Sequence, residues 1–397
     1  MRGAKIAIGI WFVLVSACAA EPHCAASSRP GLAEFHAALG DLRQGRRKTV
    51  AVLHLGDSHI ALDYMTDVPR AHLAGLFGDA GRALPPGVPY RYYAPAGYSV
   101  TMTGPWEVAS SLQASTQGPF GIAGYRIVGT SPAAETTIER QAGGIATVEV
   151  DAMGGPRTGS LMLTIDGAAP LRLSTRRPTP GLVRLRVPAA SARRVALNPA
   201  GDGEVTLLGW MLLTGKPGIR YDSYGITGAT LDVVGRWDAA TVDRQIETLA
   251  PDLVILGYGT NEGFNDGLDL RAYAVKLDAL IARLKRLSPR GSIVVLGSLD
   301  GAREAKPGMP SSCGDGWTTP PKLDALREVQ RSVAEKRSVA YVDLSIVMGG
   351  RCGIDRWVNA EPPLAWPDHV HLRPEGARRA GAFLTQMLAP AANCSAR

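Results

Sequence analysis

The first predicted element after the N-terminus is a short buried strand followed by a helix. The residues TVAVLHLG, at 49–56, form an apolar run that ends in glycine. Such a run is typical of a parallel strand that is buried on both faces. A helical pattern follows over about 59–77, and a Gly- and Pro-rich stretch ends it near Pro85 and Pro86. This part of the chain therefore predicts the beginning of an α/β domain.

The pattern changes between about 98 and 214. Short segments with alternating apolar and polar residues are separated by turns that contain Gly, Pro or Asn-Pro; they read TVEVDAM, LMLTIDG, LRLST, VRLRV and VTLLGWMLL. No convincing helical pattern interrupts them. A series of short strands with turn residues between them predicts a β-sandwich.

Strands and helices alternate again after Pro217. Strands are predicted at 219–225, 251–259, 292–299 and 339–345, and helices at 237–250, 270–287, 322–336 and 373–388. Asp238 is a candidate N-cap, and Pro374 suits the first turn of the last helix. This alternation predicts a parallel sheet that is covered by helices on both faces.

The simplest domain organisation is one α/β domain that is interrupted by an all-β domain. The α/β domain would comprise 30–97 and 215–390, and the inserted sandwich would comprise 98–214. We expect the insertion on a loop at the rim of the sheet, because a packed core could not absorb it.

The first 20 residues have the layout of a secretory signal peptide. Arg2 and Lys5 precede an apolar run at 6–15, and small residues follow at 16–20. The run is too short to span a bilayer. Cleavage near residue 20 would release an exported, periplasmic protein. Residues 15–18 also resemble a bacterial lipobox, so lipid attachment at Cys18 is an alternative that would anchor the protein to the membrane.

Either cleavage leaves four cysteines: Cys24, Cys313, Cys352 and Cys394. An even number in an exported protein predicts disulfide bonds, with three possible pairings. We favour Cys313 with Cys352, and Cys24 with Cys394. The sequence contains no CxxC or HExxH motif, so we expect no bound metal ion and no cofactor.

The net charge of +7 would favour an anionic partner such as a membrane surface or a cell-wall polymer. Arginines are dispersed along the chain without a dense basic run, and an exported protein rarely meets nucleic acid. Nucleic-acid binding is therefore not expected. The sequence leaves the oligomeric state open.

Polar clusters and one glycine-rich turn lie where the predicted strands end, and in open parallel sheets functional groups collect at the carboxyl ends of the strands. They are Gly56-Asp57-Ser58-His59, the turn at 224–230, Gly259-Thr260-Asn261-Glu262 and Asp368-His369-Val370-His371. The carboxyl edge of the sheet is therefore the predicted functional site.

These motifs resemble the conserved blocks of the GDSL/SGNH hydrolase superfamily. Gly56-Asp57-Ser58 is similar to block I, Gly228 to the block II glycine, 259–262 to block III, and Asp368 with His371 to block V. The blocks occur in the family order and cover roughly 30–97 and 215–390. The resemblance implies a three-layer α/β/α fold with a flavodoxin-like parallel sheet and the activity of a serine esterase. His59 departs from the commonest pattern, which has Leu or Ile there.

The family pattern assigns Ser58 as nucleophile, His371 as general base and Asp368 as the residue that orients the histidine. An oxyanion hole would be formed by the backbone N–H groups of Ser58 and Gly228 and by the side-chain amide of Asn261. His369 competes with His371 for the role of the base, but the motif spacing favours His371.

Two other histidines have simpler interpretations. His59 is expected to pack behind the site, and His54 to lie in the core of the first strand. The α/β-hydrolase class is excluded, because no G-x-S-x-G elbow occurs at a strand end.

The arrangement of an SGNH domain with an inserted sandwich is similar to that of the two-domain peptidoglycan O-acetylesterases. The resemblance implies removal of O-acetyl groups from muramoyl residues of peptidoglycan. Two alternatives stay open: deacetylation of, or O-acetyl transfer to, another exported polysaccharide, and a carbohydrate-binding surface protein without activity. Trp106 and Trp210 of the insertion could stack on sugar rings, although a packing role is the commoner one.

Overall fold

The computed structural model describes residues 31–308, 310–314 and 316–389. The predicted signal peptide, the lipobox and the pair Cys24 and Cys394 lie outside the described residues. The helices are α1 (Ala33–Arg43), α2 (Ser58–Ala61), α3 (Asp63–Phe77), α4 (Ala239–Leu249), α5 (Thr260–Gly263), α6 (Leu270–Leu287), α7 (Leu323–Lys336), α8 (Gly353–Val358) and α9 (Pro374–Leu388), with 3-10 turns at Leu231–Arg236 and Leu344–Met348.

The strands are β1 (Thr49–Gly56), β2 (Asp79–Leu84), β3 (Tyr98–Thr103), β4 (Glu107–Ser110), β5 (Tyr125–Gly129), β6 (Glu135–Arg140), β7 (Ile145–Gly154), β8 (Ser160–Ile165), β9 (Leu171–Ser174), β10 (Gly181–Ala192), β11 (Arg194–Pro199), β12 (Val205–Leu213), β13 (Gly218–Gly225), β14 (Leu253–Gly257), β15 (Ser292–Gly297), β16 (Arg303–Glu304), β17 (Trp317–Thr318) and β18 (Ala340–Asp343).

A parallel sheet in the order β2-β13-β1-β14-β15-β18 forms the centre of the α/β region. Strand β1 lies between β13 and β14, and its residues alternate between two buried clusters. Val50 and Val52 belong to one cluster, and Leu53 and Leu55 to the other. Helices α1, α3 and α9 cover the first face, and α4, α6 and α7 cover the second. The continuous apolar run of β1 therefore reflects burial on both faces, and the predicted three-layer α/β/α fold is confirmed.

The elements predicted after Pro217 are present with small differences at their ends. Asp238 caps α4 by accepting a hydrogen bond from the amide of Thr241, and Pro374 occupies the first turn of α9. The single helix predicted over 59–77 was wrong, because the backbone at Leu62 is extended and separates α2 from α3. The break gives Ser58 a short helix of its own.

The β-strands predicted between 98 and 214 form two packed sheets. One contains β3, β6, β11, β8 and β9, and the other contains β4, β5, β12, β7 and β10. A buried apolar cluster fills the space between them, including Ile138, Leu163 and Leu197 of the first sheet and Val148 and Leu207 of the second. An all-β sandwich is therefore inserted into the α/β chain.

The sandwich joins the α/β region through strand pairing, which the sequence did not predict. Strand β2 was missed, and it pairs with β13 on one side and with β12 on the other. Residues 81–84 lie antiparallel to 210–213, so one sheet continues from the α/β region into the insertion. The prediction that the insertion is attached only through a loop was wrong, because the two regions share a continuous sheet through β2. The domain boundaries stay predictions.

Cys313 and Cys352 form a disulfide bond, which confirms one of the two favoured pairs. Among the described residues, no helix has the length and apolar character needed to cross a membrane.

Candidate active site

Ser58 stands at the junction of β1 and α2. Strand β1 approaches β14 so closely that a Cβ atom on Gly56 would lie 2.5 Å from the carbonyl oxygen of Gly257. Asp57 is the N-cap of α2, and its Oδ1 accepts a hydrogen bond of 3.0 Å from the amide of His59. Ser58 therefore begins a helix at the carboxyl edge of the sheet, where the first N–H groups of the helix have no intrahelical partner.

A chain of hydrogen bonds joins Ser58 to two residues of the loop that precedes α9. The hydroxyl Oγ of Ser58 lies 3.0 Å from Nε2 of His371. Nδ1 of His371 lies 2.8 Å from Oδ2 of Asp368. Because Nδ1 faces a carboxylate, it carries the proton and leaves Nε2 free to accept one from the serine. The structure thus brings together the three residues predicted as nucleophile, base and orienting carboxylate.

Asp368 is held by its own loop. Its Oδ1 accepts hydrogen bonds of 2.9 Å from the amides of Val370 and His371. Partial burial acts to raise the pKa of Asp368, but the hydrogen bonds from His371 and Val370 outweigh it and hold the pKa below its usual range. The carboxylate is therefore ionised when it supports His371.

His369 faces away from Ser58. Its ring is stacked on Trp317, with centroids 3.5 Å apart, and its Nε2 lies 3.1 Å from Oδ1 of Asp355. The side chain is 4% exposed. Of the two histidines that competed for the role of the base, His371 is the one beside the serine.

Gly228 and Asn261 lie on neighbouring loops at the same edge of the sheet. Gly228 has a φ of 81°, in the left-handed region that glycine adopts without strain. The side-chain nitrogen of Asn261 donates a hydrogen bond of 2.8 Å to the carbonyl of Ala229, and an amide has a second proton to donate. The structure therefore positions the Asn261 amide against the turn that contains Gly228.

Glu262 fixes the same turn, a role that was not predicted from the sequence. Its Oε1 accepts a hydrogen bond of 2.7 Å from the amide of Leu231, while its Oε2 has no partner among the described residues. Burial raises the pKa of Glu262 to about 7. Its position directly after Asn261 could have indicated a role in the site. A glutamate in a loop is ordinarily exposed, however, so burial was not expected.

The inserted sandwich contributes one wall of the site. Leu112 lies 3.7 Å from the point where a Cβ atom of Gly228 would stand. The same insertion loop is tied to the α/β region by hydrogen bonds from Asp238 N to the carbonyl of Phe120 and from Ile122 N to Gln245. Leu112 is 43% exposed, so it presents apolar surface beside the Gly228 turn. No sequence motif distinguishes this loop from other turns of the sandwich.

His54 is buried, and the side chain of His59 is 8% exposed. His54 belongs to the core as predicted, with Nδ1 2.9 Å from the hydroxyl of Tyr221, and burial lowers its pKa to about 3. His59 contacts both loops of the site. Its Nδ1 lies 3.2 Å from Oδ1 of Asp57, and its Nε2 lies 3.1 Å from the carbonyl of Val370.

The two tryptophans considered for sugar stacking pack internally. Trp210 is 2% exposed and donates a hydrogen bond to the carbonyl of Pro86. Trp106 is half-buried against the core of the sandwich. Across the described residues, no group of three or more histidine, cysteine or acidic side chains is arranged to hold a metal ion.

Comparisons with known proteins identify a family domain in this part of the chain. Residues 200–379 match the model of the GDSL-like lipase/acylhydrolase family. This range includes Gly228, Asn261, Asp368 and His371, while Ser58 lies before the inserted strands. No curated protein sequence matches the chain.

The fold is similar to that of a solved peptidoglycan O-acetylesterase, with a TM-score of 0.74 and 26% identity over 91% of this chain and 96% of that one. Two weaker similarities are to an acetyl xylan esterase (TM-score 0.33, 16% identity, 44% of this chain and 83% of that one) and to a family two carbohydrate esterase from Clostridium thermocellum in complex with cellohexaose. The latter has a TM-score of 0.30 and 14% identity over 71% of this chain and 98% of that one. Both TM-scores lie below 0.5, and nothing about this chain follows from them.

The fold and the family match define an SGNH-type hydrolase with an inserted β-domain. The chain contains a GDSL-like lipase/acylhydrolase domain, and its enzyme class is that of the carboxylic ester hydrolases.

Proposed function

We propose that this protein removes O-acetyl groups from peptidoglycan, with Ser58 as nucleophile, His371 as general base and Asp368 as the carboxylate that orients it. The observation that carries the proposal is the hydrogen-bonded chain from Ser58 through His371 to Asp368. The substrate is supported by the similarity to a peptidoglycan O-acetylesterase over 91% of the chain.

In the first half of the proposed reaction, Oγ of Ser58 attacks the carbonyl carbon of the acetyl ester. Nε2 of His371 takes the hydroxyl proton as the new C–O bond forms, and Asp368 stabilises the resulting imidazolium. The negative charge develops on the former carbonyl oxygen. We assign its stabilisation to the backbone N–H groups of Ser58 and Gly228 and to the free amide proton of Asn261.

Collapse of this intermediate breaks the bond between the acetyl carbon and the sugar oxygen. His371 returns the proton to that oxygen, and the glycan leaves as an alcohol while the acetyl group stays on Ser58. Water then attacks the acetyl-serine, again with His371 as base, and acetate departs. Apart from this water, each group that the reaction uses is a side chain or a backbone amide of the chain.

We also propose, from the sequence at 1–20, that the protein is exported and meets its substrate in the periplasm. Cleavage by signal peptidase and lipid attachment at Cys18 are both compatible with this location. Mass spectrometry of the mature N-terminus separates them, because a lipidated Cys18 would be the first residue and would carry the mass of its acyl chains.

The experiment that tests the function measures acetate release from O-acetylated peptidoglycan by the purified mature protein. It is run beside Ser58→Ala, a small aryl acetate and O-acetylated xylan. Acetate release from peptidoglycan that is abolished in Ser58→Ala is the expected result.

The other outcomes separate the alternatives. Hydrolysis of the aryl acetate and xylan without peptidoglycan would contradict the proposed substrate and favour another polysaccharide. Acetyl transfer to an added oligosaccharide without free acetate would identify a transferase. Glycan binding with no turnover of any ester would favour the carbohydrate-binding protein.

A further inference from the structure

His59 lies between the two loops that bring Ser58 and His371 together. Its Nδ1 faces a carboxylate oxygen of Asp57, and its Nε2 faces the carbonyl oxygen of Val370. Both partners are hydrogen-bond acceptors only. A neutral imidazole has one donor, so it would leave one ring nitrogen with its lone pair against an oxygen about 3 Å away. The contacts of His59 therefore require both nitrogens to be protonated.

The surroundings of His59 favour the same state. Burial acts to lower the pKa of His59, but the Asp57 carboxylate and the Val370 carbonyl outweigh it and raise the pKa above its usual value. Burial likewise acts to raise the pKa of Asp57, and His59 outweighs it and holds the pKa low. The two residues form a buried ion pair, with side chains 8% and 2% exposed.

The other polar groups near His59 come from three segments. They are Asp368 and His371 on the loop before α9, Tyr258 and Thr260 after β14, and Ser298 after β15. Tyr258 is uncharged, because burial raises the pKa of its hydroxyl. Thr260 donates a hydrogen bond to Asp57. The titratable group stacked against His59 is thus His371.

The rings of His59 and His371 are nearly parallel. Their centroids lie 5.7 Å apart, with an interplanar angle of 27°. The two rings therefore pack side by side where the serine loop meets the histidine loop.

We propose that His59 is a positioning residue, carried as an imidazolium cation, that bridges the serine loop to the histidine loop and so holds His371 in place beside Ser58. The proposal rests on the proposed role of His371 as general base. It gives a function to the residue at which this chain departs from the commonest SGNH pattern.

The effect of losing the bridge is expected in turnover more than in substrate binding. Ser58 Oγ lies 3.0 Å from Nε2 of His371, and loss of the bridge between their two loops would misalign this contact.

The test compares kcat and KM, each measured against pH, for the wild type, His59→Gln and His59→Leu with an aryl acetate. In both variants kcat should fall more than KM changes, because the bridge holds His371 beside Ser58 and does not bind the substrate. Glutamine can still donate to the Val370 carbonyl, so its plateau kcat should fall less than that of the leucine variant, which loses the bridge. His36→Gln is the matched control, because His36 also contacts a backbone carbonyl, that of Leu388, but lies on α1. Equal losses of plateau kcat in the glutamine and leucine variants would leave His59 with packing alone and overturn the proposal.

A second measurement does not depend on turnover. Nitrogen-15 chemical shifts of the histidine rings report the protonation of His59 directly. We expect His59 to stay doubly protonated at pH 7. A neutral His59 at pH 7 would overturn the proposal even if the protein hydrolyses no ester, and a wild type inactive on all esters would instead contradict the proposed function.

Discussion

His369 and His371 are separated by one residue, yet their rings bind different carboxylates. His369 lies 3.1 Å from Asp355, and His371 lies 2.8 Å from Asp368. The backbone at His369 has a φ of 53°, an uncommon value that histidine adopts more readily than most residues. This turn sends one ring into the protein and the other towards Ser58. The loop therefore anchors itself through one histidine and presents the second.

This relationship provides a matched pair of variants. Asp368→Asn removes the charge that orients His371 and stabilises its imidazolium, so we expect kcat to fall by about 10²–10⁴. The measurement is the rate of aryl acetate hydrolysis at pH 8.

Asp355→Asn is the control, because it changes the carboxylate of the histidine that faces away from Ser58. It should cost less than tenfold in kcat (about 1 kcal/mol of barrier). Equal losses in the two variants would contradict the assignment of Asp368 as the orienting residue.

Asn261→Ala should lower kcat by about 10²–10³ with a small change in KM, because the oxyanion exists only in the transition state. Steady-state kinetics with the aryl acetate measure both constants. Asn265→Ala is a suitable control, since Asn265 lies on the same loop and bonds only to the local turn at Gly267. A rise in KM with unchanged kcat would assign Asn261 to ground-state binding instead.

The strands and helices of the α/β region were predictable because each has a local sequence pattern that indicates its structure. The apolar run of β1 predicted a strand buried on both faces, and Asp238 predicted the start of α4. Strand β2 was missed because DAGRAL lacks the apolar run of a central strand. Arg82, in its middle, is buried through an ion pair with Asp63, a distant contact that no local pattern shows.

In the candidate site, too, some residues were predictable from local motifs and others depend on distant contacts. Ser58, Gly228, Asn261, Asp368 and His371 stand in motifs with a known order, so the sequence was sufficient to select them. Leu112 stands in no motif, and the roles of Glu262 and His59, which stand within two of the motifs, depend on contacts with other loops. Their contributions depend on how the insertion and the loops pack, and spacing along the chain carries no information about that.

Glu262 makes stability depend on pH. Its pKa is about 7 in the folded protein against a reference value of 4.5, so the folded state binds the proton more tightly than the unfolded state does. Stability from this group is therefore greatest below pH 4.5 and decreases as pH rises towards 7. Glu262→Gln keeps an oxygen that accepts from Leu231 and removes the titration. As the pH rises from 5 to 8, the free energy of unfolding of this variant should therefore increase by about 2–3 kcal/mol relative to that of the wild type.

Urea unfolding at several pH values measures this difference. Glu247→Gln, an exposed change on α4, is the control and should differ from the wild type by the same amount at each pH. A constant difference between Glu262→Gln and the wild type would mean that Glu262 does not titrate in this range.

The disulfide bond supports the loop that presents His371. Cys313 lies four residues before Trp317, which stacks on His369, and Cys352 lies three residues before Asp355, which bonds to the same ring. The bond therefore connects the two segments that hold His369. Replacing both cysteines by serine should lower the free energy of unfolding by about 2–4 kcal/mol, because the unfolded chain gains freedom.

The same replacement should also lower kcat, because His369 loses support from two sides and the turn that presents His371 loosens. Thermal unfolding and aryl acetate kinetics, measured on the double variant and on Trp317→Ala, separate the two effects. Trp317→Ala keeps the disulfide bond and removes the stacking, so it should reproduce the loss of kcat with a smaller loss of stability. A double variant that is destabilised but fully active at a temperature where it stays folded would show that the bond stabilises the fold without positioning His371.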